Sequence, residues 1–166
     1  MRSLFLIAAC VGLSIATGDA RAAGGGGGGG DDGEDQARVV KDADYNAAMK
    51  AVKARDWSQV VVRMNAYVAR NPNDADAWNE LAHAYLKTGD LDSAFTNYDR
   101  ALKIDPRHRN AHEYLGEAYL QAHDLTRAEA ELRVLDGLCF LPCEQYSDLK
   151  KEIARYKSEH PPVATR

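Results

Sequence analysis

Two cysteines four residues apart, in Cys139-Phe140-Leu141-Pro142-Cys143, are the side chains best suited to chemistry in this 166-residue chain. The spacing permits a disulfide that pins a turn, closing a loop short enough to contribute about 2 kcal/mol through lost chain entropy. It also permits a thiol pair that binds soft copper(I) or exchanges disulfides, although such a site needs a further ligand or an activating neighbour. Beside the pair the sequence offers only Glu144 and apolar groups, and both readings stay open. The spacing is neither that of a zinc Cys-x2-Cys pair nor that of a Cys-x2-Cys-His haem attachment. His112-Glu113 begins a His-Glu-x-x-His zinc motif, but Gly116 stands where the second histidine belongs. His83, His108, His123 and His160 are scattered, so no metal or other cofactor is expected. No serine has a Gly-x-Ser-x-Gly setting, and Glu113 and Glu117, one helical turn apart, read as solvated charge rather than a general acid and base. The expectation is a chain that is not an enzyme.

These residues must be held by something, and composition limits what. The chain is 45% hydrophobic and 28% charged, ordinary for a helical protein, and its mean hydropathy is negative, which excludes a bundle of membrane spans. A leader over 1–23 is predicted: Met1-Arg2 starts positive, Leu4–Ile15 is apolar, and Ala20-x-Ala22 offers small residues for cleavage. Its apolar run is too short for a permanent span. Removal takes Arg2, Arg21 and Asp19 from 21 basic and 25 acidic residues, leaving 19 against 24. A mildly acidic chain without a basic stripe is not a nucleic-acid binder. The mature protein is expected across the inner membrane, in the periplasm, where disulfides persist. An alternative is acylation at Cys10, since Ile7-Ala8-Ala9-Cys10 is similar to the box in which bacterial lipoprotein precursors are cut; only nine residues precede that cysteine.

Gly24–Gly30 followed by Asp31-Asp32-Gly33-Glu34-Asp35 reads as a flexible acidic linker over 24–40. A phosphate loop would need lysine next, and acids follow instead.

From Lys41 a period of 34 residues emerges. Asp56, Asp90 and Asp124 share it, as do Pro72 and Pro106, Leu81 and Leu115, Tyr85 and Tyr119, Ala94 and Ala128. Three units follow, 41–74, 75–108 and 109–142. In the middle one Trp78, Leu81, Ala82 and Tyr85 share one helical face and Ala94, Tyr98 and Ala101 another, with Gly89-Asp90 joining the helices and Asp105-Pro106 stopping the second. In the third, Thr126 and Glu129 have capping-box spacing. These residues resemble the tetratricopeptide repeats, helical hairpins with a Trp-x2-Leu-Gly-x2-Tyr, Ala-x3-Phe and Pro pattern. Tyr98 stands for the phenylalanine, Ala82 for the glycine that Gly116 keeps, and His112 for the tryptophan. The first unit is weakest, keeping only Ala47, Ala48, Ala51, Val60 and Pro72 in size and polarity. A further helix over 143–159, with Tyr146, Leu149, Ile153 and Tyr156 on one face and charges on the other, suits a solenoid cap, and 160–166 is a tail. The predicted fold is therefore an all-α solenoid of three hairpins and a capping helix.

The resemblance implies that the first helix of each hairpin lines a peptide-binding groove. Its outward positions are Tyr45, Met49 and Val52, then Asn79, His83 and Leu86, then Glu113, Glu117 and Leu120. Apolar groups along one flank and carboxylates toward the third unit suit a protein or peptide partner with basic or mixed apolar character. The family's clamp for C-terminal carboxylates uses lysines and asparagines, against which Glu113 and Glu117 speak. An adaptor for another exported protein is the expected function, with a copper or thiol-redox accessory built on Cys139 and Cys143 as the alternative.

Overall fold

The computed structural model describes residues 41–141 and 143–161; the predicted leader at 1–23, the linker at 24–40 and most of the tail lie outside them. Seven helices are described: α1 (Ala43–Ala54), α2 (Trp57–Arg70), α3 (Ala75–Thr88), α4 (Leu91–Ile104), α5 (Arg109–Gln121), α6 (Leu125–Leu138) and α7 (Glu144–Glu159). They pair as α1·α2, α3·α4 and α5·α6, and each hairpin packs on the first helix of the next, ending with α7 on α5 and α6. This is the all-α solenoid expected from the period.

The aspartates that reveal the period have a local task. Asp56, Asp90 and Asp124 are the N-caps of α2, α4 and α6, each carboxylate accepting from a backbone amide three residues on, at 3.2, 3.1 and 2.9 Å. Each satisfies an amide that the first turn leaves free. Thr126 is not the cap expected from its spacing: Asp124 takes the role and Thr126 lies inside α6, exposed. The residue before each capping aspartate is left-handed, Arg55 at φ 56°, Gly89 at 84° and His123 at 59°. Only at Gly89 does the residue type suit that turn.

The signature residues form the core. Leu81, Ala82, Ala94, Tyr98 and Ala101 are buried, as are Ala48 and Val60 from the weakly matching first unit. Trp78 donates its ring N–H to the carbonyl of Pro72 at 2.8 Å. His112, one period later, makes the same contact with Pro106 through Nε2 at 3.1 Å, so the imidazole keeps the tryptophan's bond. Its Nδ1 meets Glu131 at 2.7 Å. Burial alone would lower the His112 pKa, but the Glu131 carboxylate and the Pro106 carbonyl outweigh it, and the net shift is upward.

The capping helix is more regular than its charged face suggests. Tyr146, Leu149 and Ile153 follow Trp78, Leu81 and Tyr85 by two periods, so α7 takes the register of a hairpin's first helix. Leu149 and Ile153 are buried with Leu120, Ala128 and Leu135 in a second small core. Close approach explains Gly116: a Cβ there would come within 2.5 Å of the Leu149 side chain. The matching positions are Ala48, Ala82 and, on α7, Lys150. Lys150 is exposed, with its ammonium 5.5 Å from the Tyr146 ring centroid.

Candidate functional site

The 34-residue register arranges the nine expected groove residues in three rows across α1, α3 and α5: Tyr45–Asn79–Glu113, Met49–His83–Glu117 and Val52–Leu86–Leu120. They are less open than the sequence suggested. Asn79, Leu86, Glu113 and Leu120 are buried, because neighbouring hairpins and α7 close over those positions. Tyr45, Met49 and Val52 are half-buried against the core. Tyr45 meets the Tyr67 ring edge-on at 5.1 Å with the Lys41 ammonium 4.1 Å above its own ring. His83 and Glu117 are half-buried.

His83 joins three helices. Its ring stacks on Tyr114 of α5 at 4.2 Å and meets the edge of Trp57, the first residue of α2, at 5.4 Å. Burial first, and then the Lys87 charge, holds its pKa down to about 4, so it is neutral at physiological pH. Burial and the neighbouring Glu113 push the Tyr114 phenol up to about 12. Sequence reading missed Trp57 and Tyr114 because the stack crosses helix and repeat boundaries, where one-helix periodicity carries no signal.

Beyond the stack the face turns acidic. Glu113 is pushed up to about 7 by burial and then by Glu117, Asp148 and Glu144; Lys87 opposes that shift. Lys87 pairs with Glu117 at 3.3 Å. Asp148 and Glu144 belong to α7, whose part in this face was legible only through the two-period match of Tyr146, Leu149 and Ile153. Glu80 on α3 is likewise raised by burial and then by Asp76.

A cleft of about 390 Å³ opens where the C-terminal ends of α3, α5 and α7 meet, lined by Lys87, Glu117, Leu120, His123, Arg155 and Tyr156 among others. It shares Glu117 and Leu120 with the rows above. Tyr156 stacks on His160 at 4.2 Å and its hydroxyl lies 3.2 Å from His123 Nδ1.

The cysteine turn stands apart from this face. The Sγ atoms of Cys139 and Cys143 are placed at 2.00 Å with their Cα atoms 5.8 Å apart. Cys143 occupies the N-cap of α7 without a side-chain capping bond, unlike Asp74 and His108 at the equivalent joints. Phe140 between the cysteines is fully exposed and Leu141 largely so. Among the described residues, no group of three or more His, Cys, Asp or Glu side chains is placed to hold a metal ion.

Residues 75–108 match the tetratricopeptide repeat family. The cytochrome c-type biogenesis protein CycH of Rhizobium meliloti is 31% identical over 97 residues, which are 58% of this chain and 26% of CycH. The chain thus spans about a quarter of that relative's length. The fold is similar to the TPR2B domain of yeast Sti1, solved as a complex with pHsp70, with TM-score 0.64 at 15% identity over 70% of this chain and 94% of that one. It is also similar to the Yersinia enterocolitica type III secretion chaperone SycD in complex with a peptide of the translocator YopD, with TM-score 0.60 at 16% identity over 70% and 88% of the two chains. The middle hairpin thus matches the tetratricopeptide repeat family, and the three hairpins with α7 share the fold of such domains.

Proposed function

We propose that this protein is an exported, non-enzymatic docking module that binds a protein or peptide partner on the face lined by α1, α3, α5 and α7. The observation that carries the reading is the cleft of about 390 Å³ that continues the His83–Glu117 row. A recess with an aromatic wall and a few charged groups suits an extended or helical segment better than a small substrate needing enclosure. Peptides bound by similar domains in Sti1 and SycD support it. The likeness to CycH supports an accessory role in the maturation of another exported protein. In a periplasmic setting Cys139 and Cys143 form a structural disulfide that fixes the entry of α7.

The test is site-specific photo-crosslinking from Lys87 and Arg155 in cells exporting the full chain. Both positions are expected to capture the same exported protein, and Glu117→Lys is expected to abolish capture. If each position captures only different, abundant bystanders, the docking reading is wrong.

A further inference from the structure

The second helix that follows α1, α3 and α5 has no counterpart beside α7 among the described residues. Between α6 and α7 lies a groove of about 380 Å³ with an apolar floor of Leu132, Ile153 and Ala154. One period earlier the matching groove, between α4 and α5, is lined by Phe95, Asp99 and Tyr119. There α6 closes it, with the Arg127 guanidinium 4.7 Å from the Tyr119 ring centroid. Glu129, Arg133 and Ile153 stand 34 residues on from that wall, and among the described residues no helix closes over them. Ala154 is exposed there, although Leu86 and Leu120 at the same register are buried.

The two grooves differ in charge. The earlier one has an acid on its wall, Asp99, and an arginine on the helix that closes it; the later one has a cation, Arg133, at the acid's position. Lys150 and Lys157 line it from α7. Lys157 is answered by Glu129 at 2.6 Å, whereas among the described residues no ion pair engages Arg133 or Lys150. An apolar floor beside two unanswered cations suits a helix with an apolar stripe and acids on its flanks. A second copy related by a two-fold axis would set the same cations against one another.

We propose that the α6–α7 groove is a second docking site, which takes an acidic amphipathic helix of another protein in the place that α6 holds over α5. The pattern of that helix follows from α6 itself, where Ala128, Leu132 and Leu135 share one face at i, i+4 and i+7 and Arg127 precedes the first of them. The partner helix carries apolar residues at the same spacing, with aspartate or glutamate at the position of Arg127 to meet Arg133 and a further acid on the flank that meets Lys150. The site is separate from the face proposed above. α7 turns Lys150, Ile153 and Ala154 to this groove, and Glu152, Arg155 and Tyr156 to the other cleft. With both occupied, the protein joins two partners across one helix.

The test is to pan phage-displayed helices, randomised on one face of a stable helical scaffold, against the full chain with its disulfide intact. Selected helices are expected to carry apolar residues at i, i+4 and i+7 flanked by aspartate or glutamate. Titrated by fluorescence anisotropy, they are expected to bind at least about tenfold more weakly to Ala154→Arg, which fills the floor from an exposed helical position, and to the double variant Arg133→Glu, Lys150→Glu. Circular dichroism checks the helix content of both variants. Replacing the selected acids by their amides is expected to weaken binding severalfold to the unaltered protein and not to the double variant. Hydrogen exchange is expected to slow in α6 and α7 when the helix is bound. Helices selected without acids, binding undiminished by Ala154→Arg, slowed exchange in α3 and α5 in place of α6, or failure to select any helix each overturns the site. A dimer in sedimentation equilibrium that Ala154→Arg dissociates gives the groove to a second copy and also overturns it. Crosslinking from Lys87 and Arg155 reads the other face, so either site can fail without the other.

Discussion

The joint between the first and second hairpins and the joint between the third hairpin and α7 solve one problem in opposite ways. At the first, Asp74 is 5% exposed and fully engaged: it caps α3 through the Ala77 amide at 3.2 Å, accepts from the Tyr67 hydroxyl at 2.8 Å and pairs with Lys41 at 2.8 Å. At the last, Cys143 caps nothing through its side chain, two apolar residues stand in water, and a sulfur–sulfur contact closes the turn. The contrast extends inward. Asp74 at the first joint is answered from three sides, whereas among the described residues Glu113, which α7 faces, has no ion pair and no hydrogen-bond partner for its carboxyl.

The largest expected effect tests the satisfied joint. Asp74→Ala removes a cap, an ion pair and the acceptor of a buried tyrosine, and should cost about 2–4 kcal/mol in urea unfolding. Reduction of the Cys139–Cys143 disulfide should cost less, about 2 kcal/mol, and hydrogen exchange should localise the loss to α7. Equal loosening of α1 would break the contrast.

Acidity sharpens it further. Glu113, raised from 4.5 to about 7, favours the folded state below its ordinary range and loses that contribution as pH rises through 7. His83, lowered from 6.5 to about 4, contributes above 6.5 and loses its share as pH falls toward 4. His112, raised, loses its contribution as Glu113 does when pH rises. Stability should therefore peak in mildly acidic solution. Glu113→Gln should gain roughly 1–2 kcal/mol at pH 8 and nothing at pH 4.5, read from thermal melts at the two values.

The smallest effects concern the left-handed turns. Arg55→Gly should stabilise by up to about 1 kcal/mol, since glycine accepts that conformation without strain. His123→Gly should gain less, because its ring contacts with Tyr156 and His160 are lost. Chemical denaturation of the paired variants compares the two.

Period and type made the fold legible. Asp56, Asp90 and Asp124 marked the second helices, and Trp78, Leu81 and Tyr85 marked a face, because capping and burial act within one hairpin. The site was legible only as rows. That Asn79, Leu86, Glu113 and Leu120 are covered depends on how closely adjacent hairpins approach, which no single helix encodes. The Trp57–His83–Tyr114 stack joins residues of three helices, and the acidic surroundings of Glu113 include α7, whose charged face pointed to solvent and drew attention from its register.

Lys150 bears on how such arrays grow. A solenoid is a polymer whose monomer is a hairpin; at one register position its first helices carry the small residues Ala48, Ala82 and Gly116, and at Gly116 the Leu149 side chain of α7 settles against the backbone. Lys150 puts a long, solvated cation at the same register position of α7. In the register of the array, a helix stacked on α7 would meet that solvated ammonium where Leu149 meets the bare backbone of Gly116, and desolvating the charge would oppose such stacking.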